Sequence, residues 1–254
     1  MSATDVLLGI TIGLASGVLS GLFGVGGGIV MTPGLQVVLG ARPIVALATP
    51  LPVILPTALT GALTYAKAGE LDRRAATWMI GPGVIASIAG AVLTAFVETH
   101  LLLVITAALL AYQAVGLLRG SRRRPGRSIE ATPSIYVGIG LVAGFVSGLL
   151  GIGGGIVIVP MLAGWLGMPL KRALGTSLLA IVALVIPGTV AHAALGHVDW
   201  ALFVVVTLGA VPGARIGAAI AIAAHERTLR TLVGTFLLVV AAAYGIAEGV
   251  ALIR

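Results

Sequence analysis

Long apolar runs and short polar loops alternate along this chain, and the whole order occurs twice. The first set covers about Val6–Phe23, Ile29–Leu39, Pro43–Ala66, Ala75–Val97 and Leu101–Leu118. The second covers Tyr136–Leu150, Ile156–Leu166, Leu170–Leu195, Trp200–Ala223 and Leu229–Ala247. Most runs suit helices of about 20 residues, the length that crosses a bilayer, and not the alternating ~10-residue strands of a barrel. The pattern predicts an all-α integral membrane protein. Its domains are a first repeat over 1–118, a linker over 119–133 and a second repeat over 134–254.

The two copies align best at a glycine break. Ser20-Gly-Leu-Phe-Gly-Val-Gly-Gly-Gly-Ile-Val30 reaches Pro33, and Ser147-Gly-Leu-Leu-Gly-Ile-Gly-Gly-Gly-Ile-Val157 reaches Pro160. Glycine costs a helix roughly 1 kcal/mol against alanine, so a cluster ends it. In lipid, irregular backbone survives only where protein or a watery cavity satisfies its polar groups. Interrupted segments at corresponding positions of two halves point to a transporter's binding site.

The segments after the breaks are short. A run such as Ile29–Leu39 rises about 18 Å against a hydrocarbon core of about 30 Å. Each is expected to be a half-helix, a re-entrant element or a span completed by its neighbours. The third segments carry Pro50, Pro52 and Pro56 in one half and Pro187 in the other, and are expected to be kinked or broken. The first segments carry Gly9, Gly13, Gly17 and Gly21, or Gly140, Gly144 and Gly148. Spaced by four, these glycines form one face that suits close helix packing, within the chain or in a homodimer.

Charge gives the topology. With five segments per half, the second half enters the membrane inverted. Placing the basic linker Arg122–Arg127 in the cytoplasm also places Lys67, Arg73, Arg74, Lys171, Arg172, Arg227 and Arg230 there. Only Arg42 and Arg254 fall outside, and both termini are expected on the external side of the inner membrane. Composition agrees. The chain is 59% hydrophobic and 9% charged, against about 25% charge in a soluble domain. The net charge of +7 is therefore a topology signal and not a nucleic-acid signal. The absence of cysteine excludes disulfides and thiolate metal sites.

The candidate chemistry is that of anion binding. A helix N-terminus offers unpaired N–H groups and partial positive charge, so Gly26, Gly27 and Gly28 with Gly153, Gly154 and Gly155 are expected to cradle an anion in backbone. Arg215, alone in an apolar run, is a candidate counter-ion. Thr49, Thr176 and Ser177 are candidate hydroxyl donors, and His192 a candidate proton relay. No Asp or Glu falls mid-span, which speaks against a cation or metal cargo. No nucleophile–base pair appears, so no enzyme and no cofactor is expected.

The chain resembles the TauE/SafE family of sulfite exporters over nearly its whole length. The resemblance rests on the repeated Gly-Val/Ile-Gly-Gly-Gly-Ile-Val motif, on Ala173-Leu-Gly-Thr-Ser-Leu178 and on Gly213-Ala-Arg-Ile-Gly217. It implies export of a sulfur oxyanion or organosulfonate, such as sulfite, sulfoacetate or sulfolactate. Thr49-Pro50 stands where the second half has Thr176-Ser177, so a fully symmetric site is not expected. The expected function is secondary transport by alternating access. An anion channel and a non-transporting scaffold are the alternatives, and the expected partners are the oxyanion and membrane lipids.

Overall fold

A computed structural model describes residues 2–94, 108, 111–112, 114–115, 118, 132–150 and 153–253. Residues 119–131 of the linker, most of the first half's fifth segment, and Gly151-Ile152 lie outside these residues. The described residues form helices and loops without a strand.

Helix α1 (Ala3–Phe23) opens on a capping box. Ser2 Oγ accepts from Asp5 N at 3.2 Å, and Asp5 Oδ2 accepts from Ser2 N at 2.7 Å. It stops at Gly24, which turns left-handed (φ 69) and donates its N–H to Ser20 O. Next come the short α2 (Gly28–Pro33) and a π turn over Gly34–Val38. Pro33 withholds the N–H that the helix would use next, and the turn widens there. The second half repeats this with α6 (Pro133–Leu150), α7 (Gly155–Pro160) and a π turn over Met161–Trp165. The segments after the breaks are therefore short helices, each with an irregular second half.

The proline-rich third segments are broken, at different places. In the first half α3 (Pro43–Ala48) gives way at Thr49 to α4 (Pro50–Lys67). In the second, α8 (Leu170–Leu184) gives way at Val185 to α9 (Ile186–Ala194). The prolines set the positions, because Pro50 and Pro187 each fall in a first turn where no N–H is needed. Helix α5 (Arg73–Thr94) corresponds to α10 (Trp200–Ala223), and α11 (Glu226–Ile253) completes the described chain.

The halves exchange helices. Helix α1 packs on α10, and α5 packs on α6. The glycine faces make both contacts. A β-carbon on Gly13, Gly17 or Gly21 would strike the carbonyls of Val206, Ala210 or Ala214. In return, Gly209, Gly213 and Gly217 lie on the carbonyls of Ile10, Leu14 and Val18. Gly140, Gly144 and Gly148 meet Met79, Gly83 and Ser87 in the same way. In lipid no hydrophobic gain joins two apolar helices, so dispersion and Cα–H···O contacts at this close approach must hold them. The face that suits a dimer is thus consumed inside the chain. In both pairs, contacts advance together along the two helices, so the partners run parallel.

Helix α4 and the broken helix α8–α9 cross at the centre with the opposite sense. Tyr65 sits beside Gly175, Leu178 beside Gly61, and Leu51 beside Gly188. Among the described residues, five helices or broken helices are long and apolar enough to span a membrane: Ala3–Phe23, Pro43–Lys67, Arg73–Leu93, Leu170–Ala194 and Trp200–Ala223.

Candidate functional site

The two glycine breaks meet at the centre of the molecule. Gly26 and Gly27 are left-handed (φ 85 and 82), as are Gly153 and Gly154 (φ 85 and 73). Only glycine enters this region at low cost, so the first two glycines of each triplet are required by the path of the backbone. Gly28 and Gly155 then begin the short helices. A β-carbon on Gly155 would collide with the Gly24 carbonyl and lie 2.9 Å from Val25 Cα. The tips therefore abut, and all six glycines are buried.

Their N–H groups are unusual. Val30 and Met31 both bond to Gly27 O, and Val157 and Ile158 to Gly154 O. Among the described residues, no acceptor takes the N–H of Gly27, Gly28 or Ile29, or of Gly154, Gly155 or Ile156. Orphaned buried N–H groups are rare in native proteins. Two corresponding isoleucines, Ile54 and Ile181, lie against the tips and are fully buried. A β-carbon on Gly26 would be 3.3 Å from Cγ2 of both. Gly28 faces Ile54 Cδ1, and Gly155 faces Ile181 Cδ1. The arrangement is a shell of unpaired donors closed by branched aliphatic side chains.

The other candidates are placed elsewhere. Thr49 and Thr176 are fully buried but do not line the tips. Thr49 Oγ1 accepts from Asp199 N at 3.1 Å, and Thr176 Oγ1 accepts from Asp72 N at 2.9 Å. These bonds correspond under the 127-residue offset, and each ties one half to the other. Ser177 does reach a tip, but its hydroxyl donates to the Gly24 carbonyl at 2.9 Å, so its proton is already engaged.

Arg215 is exposed and has no hydrogen bond or ion pair among the described residues. It lies about 200° round the helix from Gly213. Packing Gly209, Gly213 and Gly217 on α1 therefore turns the guanidinium away from the tips. That angular relation was available in the sequence. His192 sits in the last turn of α9, at the edge of its span, where its Nδ1 lies 3.1 Å from His197 Nδ1. Ile54 and Ile181 escaped sequence reasoning because they carry no polar group, although their shared offset from the two breaks was a usable signal.

Fold and site define an all-helical, multi-pass membrane protein with two internally exchanged halves. The sulfite exporter TauE/SafE family model matches residues 9–244, and the chain belongs to that membrane transporter family. It is 30% identical over 237 residues to the probable membrane transporter protein YunE of Bacillus subtilis, covering 83% of this chain and 86% of that one. It is 31% identical to the probable membrane transporter protein YdhB of the same organism, covering 80% and 84%. A probable membrane transporter protein of Xylella fastidiosa is 27% identical, with 95% of each chain covered. No solved structure matches the chain.

Proposed function

We propose that this protein exports a small sulfur oxyanion or organosulfonate, with sulfite as the leading cargo, across the inner membrane by alternating access. The observation that carries the reading is the pair of abutting glycine tips with their unpaired, buried N–H groups. An oxyanion satisfies several such donors at once, and the helix ends favour its charge. Among the described residues, no carboxylate lies at the tips to receive a cation.

The halves act as inverted repeats in this reading. The antiparallel crossing of α4 and α8 and the parallel pairs α1–α10 and α5–α6 support that, as does the gathering of basic residues. Arg172 pairs with Asp72, and Lys171 Nζ donates to Ile222 O, which brings three basic-loop regions to one end. That end faces the cytoplasm, and both chain termini face outward. The cargo alternates between the two sides as the tips and their isoleucine covers shift against each other.

Sulfite flux into proteoliposomes tests this with wild type, Gly28→Val and Arg215→Ala. Gly28 has ordinary helical geometry and meets only the end of one side chain, Ile54 Cδ1 at 3.1 Å, so valine fills the tip without straining the backbone. Wild type should saturate and be stimulated by sulfite on the far side, whereas a channel would show neither. Gly28→Val should lose flux while remaining folded, and Arg215→Ala should retain it. Loss in Arg215→Ala alone would move the site away from the tips.

A further inference from the structure

Ser20 carries a buried hydroxyl that no other described residue uses. It is 1% exposed, and its Oγ has no hydrogen-bond partner among the described residues. Neighbouring hydroxyls in the spans behave differently. Ser16 donates to Ile12 O at 2.7 Å, Thr57 to Val53 O at 2.6 Å and Thr64 to Thr60 O at 2.8 Å, each closing a bond to the carbonyl four residues back. For Ser20 that acceptor would be Ser16 O, which instead faces the glycine break, 3.0 Å from the β-carbon position of Gly27. The Ser20 Cβ itself is 3.3 Å from that position.

An unpaired O–H is thus carried by a side chain packed against Gly27, whose own N–H is unpaired among the described residues. The placement of the serine Cβ against the break recurs in the second half. Ser147 is 5% exposed, and its Cβ is 3.1 Å from the β-carbon position of Gly154. A buried donor left unmade is costly, so a hydroxyl retained beside other unmade donors points to a ligand that accepts from all of them.

We propose that Ser20, with Ser147 at the second tip, supplies the side-chain hydrogen bond of the anion site. This assignment rests on the oxyanion reading of the glycine tips. It replaces Thr49, Thr176 and Ser177, whose hydroxyls hold the two halves together. Serine suits the task because its hydroxyl rotates to meet an oxygen whose position the rigid N–H groups set.

The test is sulfite titration of the purified full-length protein, read as the shift in its thermal unfolding midpoint. Ser20→Ala removes no existing bond, so its midpoint without sulfite should match or exceed wild type. Its apparent sulfite affinity should fall about ten- to a hundredfold, the usual size of a hydrogen bond to a charged group. Ser147→Ala should show the same pair of effects if both tips hold the anion. Two results would overturn the assignment. One is Ser20→Ala binding sulfite like wild type while Gly28→Val does not, which leaves the tip reading intact. The other is a lowered midpoint in Ser20→Ala without sulfite, which makes the hydroxyl structural. If sulfite and sulfoacetate both fail to shift the wild-type midpoint, the tip reading fails and the assignment goes with it.

Discussion

The two ends of the central α4–α8 pair share one skeleton but differ in how firmly they are closed. At each end a loop aspartate gives its N–H to a threonine of the other half: Asp72 to Thr176, Asp199 to Thr49. At each end the aspartate carboxylate also caps the following helix, through Ala75 N in one case and through Ala201 N and Leu202 N in the other. Beyond this the ends diverge. Asp72 is also paired with Arg172 at 3.3 Å, whereas the position corresponding to Arg172 is Val45. Tyr65, fully buried, donates to Gly21 O at 2.9 Å, whereas its counterpart is His192, half-buried against His197. Main chain and threonine hydroxyls build the symmetric frame, and the side chains hung on it make one end tighter. Under the alternating access proposed above, such asymmetry would set which side rests open.

The largest expected effect comes from prising the Asp72 end apart. Gly175 lies against Glu70 O, and a β-carbon there would be 2.6 Å from Tyr65 Cβ. Gly175→Leu should fail to give a stable protein, and Gly175→Ala should cost about 1–3 kcal/mol through overpacking. The corresponding position is Ala48, which accommodates a methyl while fully buried. Thermal unfolding in detergent reads both variants.

Thr176→Val and Thr49→Val come next. Each leaves a loop amide without its acceptor, which costs about 1–3 kcal/mol. The informative result is direction. With one reporter cysteine added to the otherwise cysteine-free chain at each end, Thr176→Val should raise labelling at the Asp72 end, and Thr49→Val at the Asp199 end. Labelling that rises at the same end in both variants would end the comparison.

Tyr65→Phe should cost about 1–2 kcal/mol, since the Gly21 carbonyl loses its phenolic donor without a cavity forming. The smallest effect belongs to Arg172→Gln. The Arg172 side chain is 47% exposed, so the pair contributes at most about 1 kcal/mol. Its effect on unfolding should vanish at high salt, whereas the threonine effects should persist.

Much of this molecule was legible in one dimension. Apolar runs near 20 residues imply spanning helices because lipid leaves backbone groups no other partner. The 127-residue offset announced two like halves. Triple glycines announced breaks in the helices, and at these breaks Gly26, Gly27, Gly153 and Gly154 turn left-handed. The glycine spacing in the first segments announced close packing. All of these are local, because each follows from one residue's steric freedom or one segment's period.

What only the tertiary structure decided is which groups meet. Helix exchange between halves, α1 with α10 and α5 with α6, leaves no mark within any single segment. Thr49 and Thr176 looked like ligand donors, but their partners lie 150 and 104 residues away and are main-chain amides, which every residue but proline carries. Arg215 looked like the counter-ion until the packing of α10 set its rotation. Ser20 was one hydroxyl among many, and only folding showed that its donor is unused. The physical reason is common to all four cases. A sequence determines what each residue is able to donate, accept or fit, whereas the free partner is set by the simultaneous packing of distant segments.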